Sequence, residues 1–189
     1  MNTRVLGVDP GLTRCGVGVI ELGASRKVKL ISVDTYRTDA NMELSARIGT
    51  LGNQIESLIE LTRPQAIAIE RVFSQQNLRS VMGVAQISGV VMLLAHKHNI
   101  PVYLHTPSEV KAAVTGSGRA NKAQVGNMVA KILGLDEVPK PADAADSLAI
   151  AICHAWKSAG GTLPESAAMT PAQKAWQAAE QAATASKRR

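Results

Sequence analysis

The sequence predicts an α/β protein, a mixed sheet with helices packed on it. Three observations support this. The N-terminal portion holds three strand-like apolar runs separated by turn residues, with no helix between them. Later apolar runs alternate with segments whose apolar residues recur at helical spacing. An apolar fraction of 46% in 189 residues supports one full core, and aromatics at only 3% mean that aliphatic side chains must build it.

Residues 4–9 are an apolar strand ending at Asp9, and Pro10-Gly11 turns the chain. Residues 14–21 read as a returning strand, with Gly16 and Gly18 among valines. Gly23-Ala24-Ser25 is a hairpin turn and 27–37 a third strand, so the chain opens on an antiparallel meander. Across 42–62, Leu44, Ile48, Leu51, Ile55, Leu58 and Ile59 recur at three and four, which is helical, and Arg63-Pro64 ends that helix. Residues 65–70 are short, continuous and isoleucine-rich, as a strand buried on both faces is. A long helix is expected over 77–98, then a short strand over 102–104. Thr106-Pro107-Ser108-Glu109 opens a helix with proline at an early position. Gly116-Ser117-Gly118-Arg119 is a loop, 122–133 a helix, Pro139-Lys140-Pro141 a break, and 142–157 a last helix that is apolar on several faces. This assigns a folded domain to 1–158. Residues 159–189 are read as a basic tail, rich in Ala, Gln and Ser and ending Lys187-Arg188-Arg189, disordered or weakly helical for want of an apolar face.

The net charge of +6 favours a polyanionic partner, nucleic acid first. Two cysteines, Cys15 and Cys153, make neither a disulfide framework nor a zinc site and read as small core residues. His96, His98, His105 and His154 show no metal-ligand spacing. No basic stretch leads into an apolar one at the start, so no signal peptide is expected. No apolar run reaches the roughly 20 residues of a membrane span, and a cytoplasmic protein is expected.

The chemistry lies in four carboxylates. Asp9 closes Val5-Leu6-Gly7-Val8, Glu70 closes Ala66-Ile67-Ala68-Ile69, and Asp143 and Asp146 lie three apart in an apolar helix. Each alone has an ordinary explanation: Asp9 as a turn former, Glu70 as a partner for Arg71, Asp143 as a helix N-terminal anion. Together they are harder to dismiss, because burying an unpaired carboxylate is very costly. In open α/β sheets, functional groups gather beyond the carboxyl ends of central strands. If the two strands that end in Asp9 and Glu70 are neighbours, and the face shared by Asp143 and Asp146 lies over them, all four acids converge. Such a cluster suits hard divalent cations, Mg²⁺ or Mn²⁺ over Zn²⁺. Paired ions roughly 4 Å apart would serve phosphodiester hydrolysis.

These motifs also carry a resemblance. Gly7-Val8-Asp9-Pro10-Gly11, Ile69-Glu70-Arg71-Val72-Phe73, Thr115-Gly116-Ser117-Gly118 with Lys122, and Ala142-Asp143-Ala144-Ala145-Asp146 resemble the RuvC crossover-junction endonucleases, over roughly 4–157. The resemblance implies a ribonuclease-H-like fold with a five-stranded sheet, and a homodimer that cuts four-way (Holliday) junction DNA symmetrically in recombination and repair. It implies Asp9, Glu70, Asp143 and Asp146 as Mg²⁺-binding catalytic acids and cooperation with a branch-migration helicase complex. Some members carry His where this chain has Asp143.

Phe73, the only Phe in the chain, follows Glu70 by three residues, and the resemblance supports its stacking on an unpaired base at the junction centre. Lys111 and Lys122 flank the glycine loop and are implied as DNA-backbone or transition-state contacts. Arg71 and Arg119 are weaker candidates for phosphate contact. Small residues on the 77–98 helix suit a dimer interface. Two other functions compete. The segment 7–13 also resembles the first phosphate loop of actin-like sugar kinases, although the chain lacks their second domain and second glycine-rich loop. A non-catalytic junction-binding protein would need the basic surface but not the acids.

Overall fold

The computed structural model describes residues 3–71 and 78–159. The strands are β1 (Thr3–Asp9), β2 (Arg14–Leu22), β3 (Val28–Arg37), β4 (Ala66–Glu70) and β5 (Val102–His105). The helices are α1 (Leu44–Thr62), α2 (Leu78–Lys97), α3 (Pro107–Thr115), α4 (Lys122–Leu133) and α5 (Ala142–Ser158). The expected three-stranded meander is present, as are the five strands and five helices expected in all, with ends shifted by at most one or two residues. The α1 end has a clear cause. Glu43 sits outside the helix and caps it, accepting from the backbone N–H groups of Ser45 and Ala46. The proposed tail lies outside the described residues from residue 160 on.

The five strands form one sheet in the order β3-β2-β1-β4-β5. β1 pairs antiparallel with β2, and β2 with β3. β1 and β4 are parallel, as are β4 and β5. The two strands that end in acids are therefore neighbours at the centre of the sheet.

Side chains alternate along a strand, so each strand feeds two cores. Leu6, Val8, Val17, Val19, Ile67 and Ile69 face α1 and α2, where Leu51, Ile55, Ile87 and Val91 pack on them. Val5, Ile20, Ala66 and Ala68 face the other way, toward α3, α4 and α5. Cys15 and Cys153 are free, buried and on opposite faces of the sheet, as core residues. Each fully buried leucine or isoleucine here contributes about 1.5–3 kcal/mol relative to exposure.

α5 lies directly on the central strands because glycines leave room for it. A Cβ on Gly7 would stand 2.1 Å from the Ser147 carbonyl oxygen, and one on Gly16 would stand 2.0 Å from that of Asp143. Gly18 is similarly covered by Leu148. Gly7 pairs with Gly18, and Asp9 with Gly16, so the glycines form one patch across β1 and β2. The alanine-rich sequence of α5 completes the close approach: residues 147–155 are all buried.

Candidate active site

The acids meet where the two central strands end. Val8 pairs with Ile69, so Asp9 and Glu70 are the next residues of adjacent parallel strands and share a face. By strand alternation that face is the one covered by α5, with Val5, Gly7, Ala66 and Ala68. On α5, Asp143 lies in the first turn and Asp146 one turn later. The backbone of Asp143 passes over Gly16, the register partner of Asp9. Four acids from three elements thus occupy one end of the sheet.

Their charges act on one another. Burial pushes the Asp9 carboxyl up from 3.8 to about 7, and the charges of Glu70, Asp146 and Asp143 add to this, with Lys122 opposing. Glu70 is raised as well, by burial first and then by Asp146, against Lys122 and Lys111. Two carboxyls held above their ordinary range by burial first, and by like charge second, mark a site with an excess of negative charge.

Cations partly answer that excess. Asn121 caps α4 through a capping box with Gln124, which starts the helix at Lys122. Lys122 Nζ then lies 3.1 Å from Asp146 Oδ2, and this partner raises the ammonium pKa. Lys111, on α3, is close enough to lower the Glu70 pKa. Arg14 Nε lies 3.3 Å from Asp143 Oδ2. Sequence reasoning missed this arginine. Strand alternation could have found it, since Arg14 is two residues before Gly16 and shares its face.

The other expected residues are less engaged. Arg71 is exposed and joins the sheet through its backbone N–H to the His105 carbonyl at 2.7 Å. Arg119 is exposed in the loop between α3 and α4, its backbone N–H donating to Ser117 Oγ at 3.4 Å. Phe73 lies outside the described residues. Asp9 and Asp143 line a cavity of about 730 Å³ that extends along the 10–14 turn toward α1 and α2.

Among the described residues, one set of three potential ligands brings its ligand atoms within 4.8 Å of one another: Glu56, Glu60 and His98. The four acids form no such set. The Glu56 carboxylate is already paired, with Lys97 Nζ at 2.6 Å and His98 Nε2 at 3.2 Å, so that cluster reads as surface ion pairing. No helix among the described residues is long and apolar enough to cross a membrane.

The family model described as crossover junction endodeoxyribonuclease RuvC matches residues 5–154. The crossover junction endodeoxyribonuclease RuvC of Leifsonia xyli subsp. xyli (strain CTCB07) is 54% identical over 193 residues, covering 95% of this chain and 93% of the relative. That of Rhodococcus jostii (strain RHA1) is 61% identical over 155 residues, 82% of each chain. The solved structure of T. thermophilus RuvC in complex with a Holliday junction substrate superposes with a TM-score of 0.80 at 34% identity, covering 85% of this chain and 97% of that one. The family match runs from within β1 to within α5 and takes in all four acids: this chain belongs to the RuvC family of crossover junction endodeoxyribonucleases.

Proposed function

We propose that the chain resolves four-way DNA junctions in recombination and repair by paired symmetric nicks, with Asp9, Glu70, Asp143 and Asp146 as the catalytic and metal-binding acids. The observation that carries this reading is the convergence of the four acids, with Asp9 raised to about 7 by burial and its neighbours' charge. The donor set fits a divalent cation: it is all carboxylate, and its negative excess is only partly met by Lys122, Lys111 and Arg14. Mg²⁺ is the expected ion, with Mn²⁺ substituting and two ions per site once DNA is bound. When bound, the metal supplies Lewis-acid chemistry, acidifying the attacking water and neutralising charge on the phosphate.

The protein's own groups do the rest. Asp9 and Glu70, fixed at strand ends, are the rigid carboxylates, and α5 brings the other two against them. Lys122 and Lys111 hold the backbone of the cut strand and stabilise charge on its phosphate. Arg71 and Arg119, both exposed, contact flanking phosphates, and Phe73 stacks on an unpaired base at the junction centre. Symmetric cutting needs two sites related by a two-fold axis, hence a homodimer. The α2 face suits that contact, with Met82 59% and Leu93 66% exposed and open space above Gly89. A cytoplasmic setting and cooperation with a branch-migration helicase complex complete the reading.

The test is cleavage of a synthetic four-way junction beside linear duplex of the same sequence. Paired nicks at symmetric positions are expected on the junction alone, in Mg²⁺ or Mn²⁺, and none with a chelator. Equal cutting of the duplex, or ion-independent cutting, would contradict the proposal.

A further inference from the structure

Arg47 is a cation that the fold buries without a counter-charge. It lies in the first turn of α1 and is 9% exposed. Its Nε donates to Thr38 Oγ1 at 3.0 Å and its Nη2 to Thr13 Oγ1 at 2.8 Å. Both acceptors are neutral hydroxyls, and a guanidinium carries five N–H donors. The donors on Nη1 have no hydrogen-bond partner among the described residues. Glu43 stands four residues earlier, where a carboxylate pairs readily with an arginine on a helix. Its carboxylate is turned instead onto the backbone N–H groups of Ser45 and Ala46. No ion pair reaches Arg47 among the described residues. Burying a cation unpaired is costly, so the arrangement suits an anion supplied by a ligand.

The surroundings say which anion. Arg47 lines the same cavity of about 730 Å³ that Asp9 and Asp143 line, with Thr13 and Arg14 between them. One continuous space therefore joins the acids to the buried guanidinium. A DNA strand with its scissile phosphate at the acids carries further phosphates on either side, and the planar guanidinium fork matches phosphate oxygens. We propose that Arg47, backed by Thr13 and Thr38, is a subsite for a non-scissile backbone phosphate of the strand being cut. The proposal rests on the nuclease reading above.

A second role must be separated from this one. Thr38 Oγ1 also donates to the Leu12 carbonyl, so the Arg47–Thr38 contact braces the turn that carries Arg14 toward Asp143. Bracing alone would slow every substrate equally. The test uses the full chain and four-way junctions in which one phosphate at a time near the cut is replaced by a neutral methylphosphonate. Single-turnover cleavage by the wild type should fall about tenfold or more at one flanking phosphate, as expected for a lost charge-assisted contact. Arg47→Gln should cut the all-phosphate junction slowly and lose less than about twofold at that position, because the two changes remove one interaction. Arg47→Lys, checked by thermal melting, should keep part of the sensitivity and serves if Arg47→Gln does not fold. A wild-type methylphosphonate profile in both variants would overturn the subsite, as would a flat profile in a wild type that cuts. A wild type that cuts no junction would overturn the nuclease reading and the subsite with it.

Discussion

Asp9 is where stability and the proposed activity oppose each other. Its folded pKa is raised from 3.8 to about 7, mainly by burial and then by Glu70, Asp146 and Asp143. Between about pH 4 and 7 the folded chain therefore keeps a proton that the unfolded chain has released, and stability falls as pH rises through that window. Asp9→Asn removes this penalty. Without divalent cations, the variant should match the wild type near pH 4 and exceed it by on the order of 2–4 kcal/mol at pH 8. Denaturant unfolding at several pH values would show it, and a difference independent of pH would contradict it. Added Mg²⁺ should stabilise the wild type more than the variant, since an ion that binds only the folded state adds stability by mass action.

At the scale of elements, the site depends on how closely α5 lies on β1 and β2. Gly16→Ala would place a methyl 2.0 Å from the Asp143 carbonyl oxygen, which backbone cannot accommodate without moving the helix. We expect a loss of about 2 kcal/mol or more. Cleavage should fall further than stability explains, because Asp143 moves with its helix. Gly49 on α1 is exposed with nothing near its Cβ position, so Gly49→Ala should stabilise by about 0.5–1 kcal/mol. Urea midpoints of the two variants should therefore shift in opposite directions; similar shifts would contradict this view of the glycine patch.

The same scale shows what the sequence made legible. The strands and helices were visible because hydrophobic period changes sharply between them, from the isoleucine run before Glu70 to the spaced leucines of α1. The four acids were visible because each interrupts apolar sequence. Adjacency of β1 and β4 was only a condition, since strand order is decided by long-range pairing that periodicity does not carry. Gly16 and Gly18 read as strand residues, while their purpose, to let α5 approach, emerges only from packing. Arg14 was missed although strand alternation places it on the face of Gly16, and Arg47 stayed hidden because no local pattern separates a buried helix arginine from one in solvent. Phe73 and the tail from residue 160 on lie outside the described residues and stay as the sequence reading left them.

At the scale of the whole molecule, the proposed paired cuts on opposing strands call for two copies of this site, the homodimer of the proposal. The exposed apolar residues of α2 include Met82, Met92 and Leu93, on a helix whose other side is buried against the sheet. Gly89→Arg would set a long cation in the open space on that exposed side. Sedimentation should then give a monomer, and junctions should receive single nicks in place of paired ones. A variant that remains dimeric would count against α2 as the contact.

The most direct test of the central claim, that the four converged acids are the catalytic centre, compares wild type and Asp9→Asn on one synthetic four-way junction in Mg²⁺, with binding and cleavage measured separately. The account predicts that the variant still binds the junction, since the basic groups around the acids remain, while paired nicking disappears. Cleavage by Asp9→Asn within about tenfold of wild type, a barrier change of only about 1.4 kcal/mol, would contradict it.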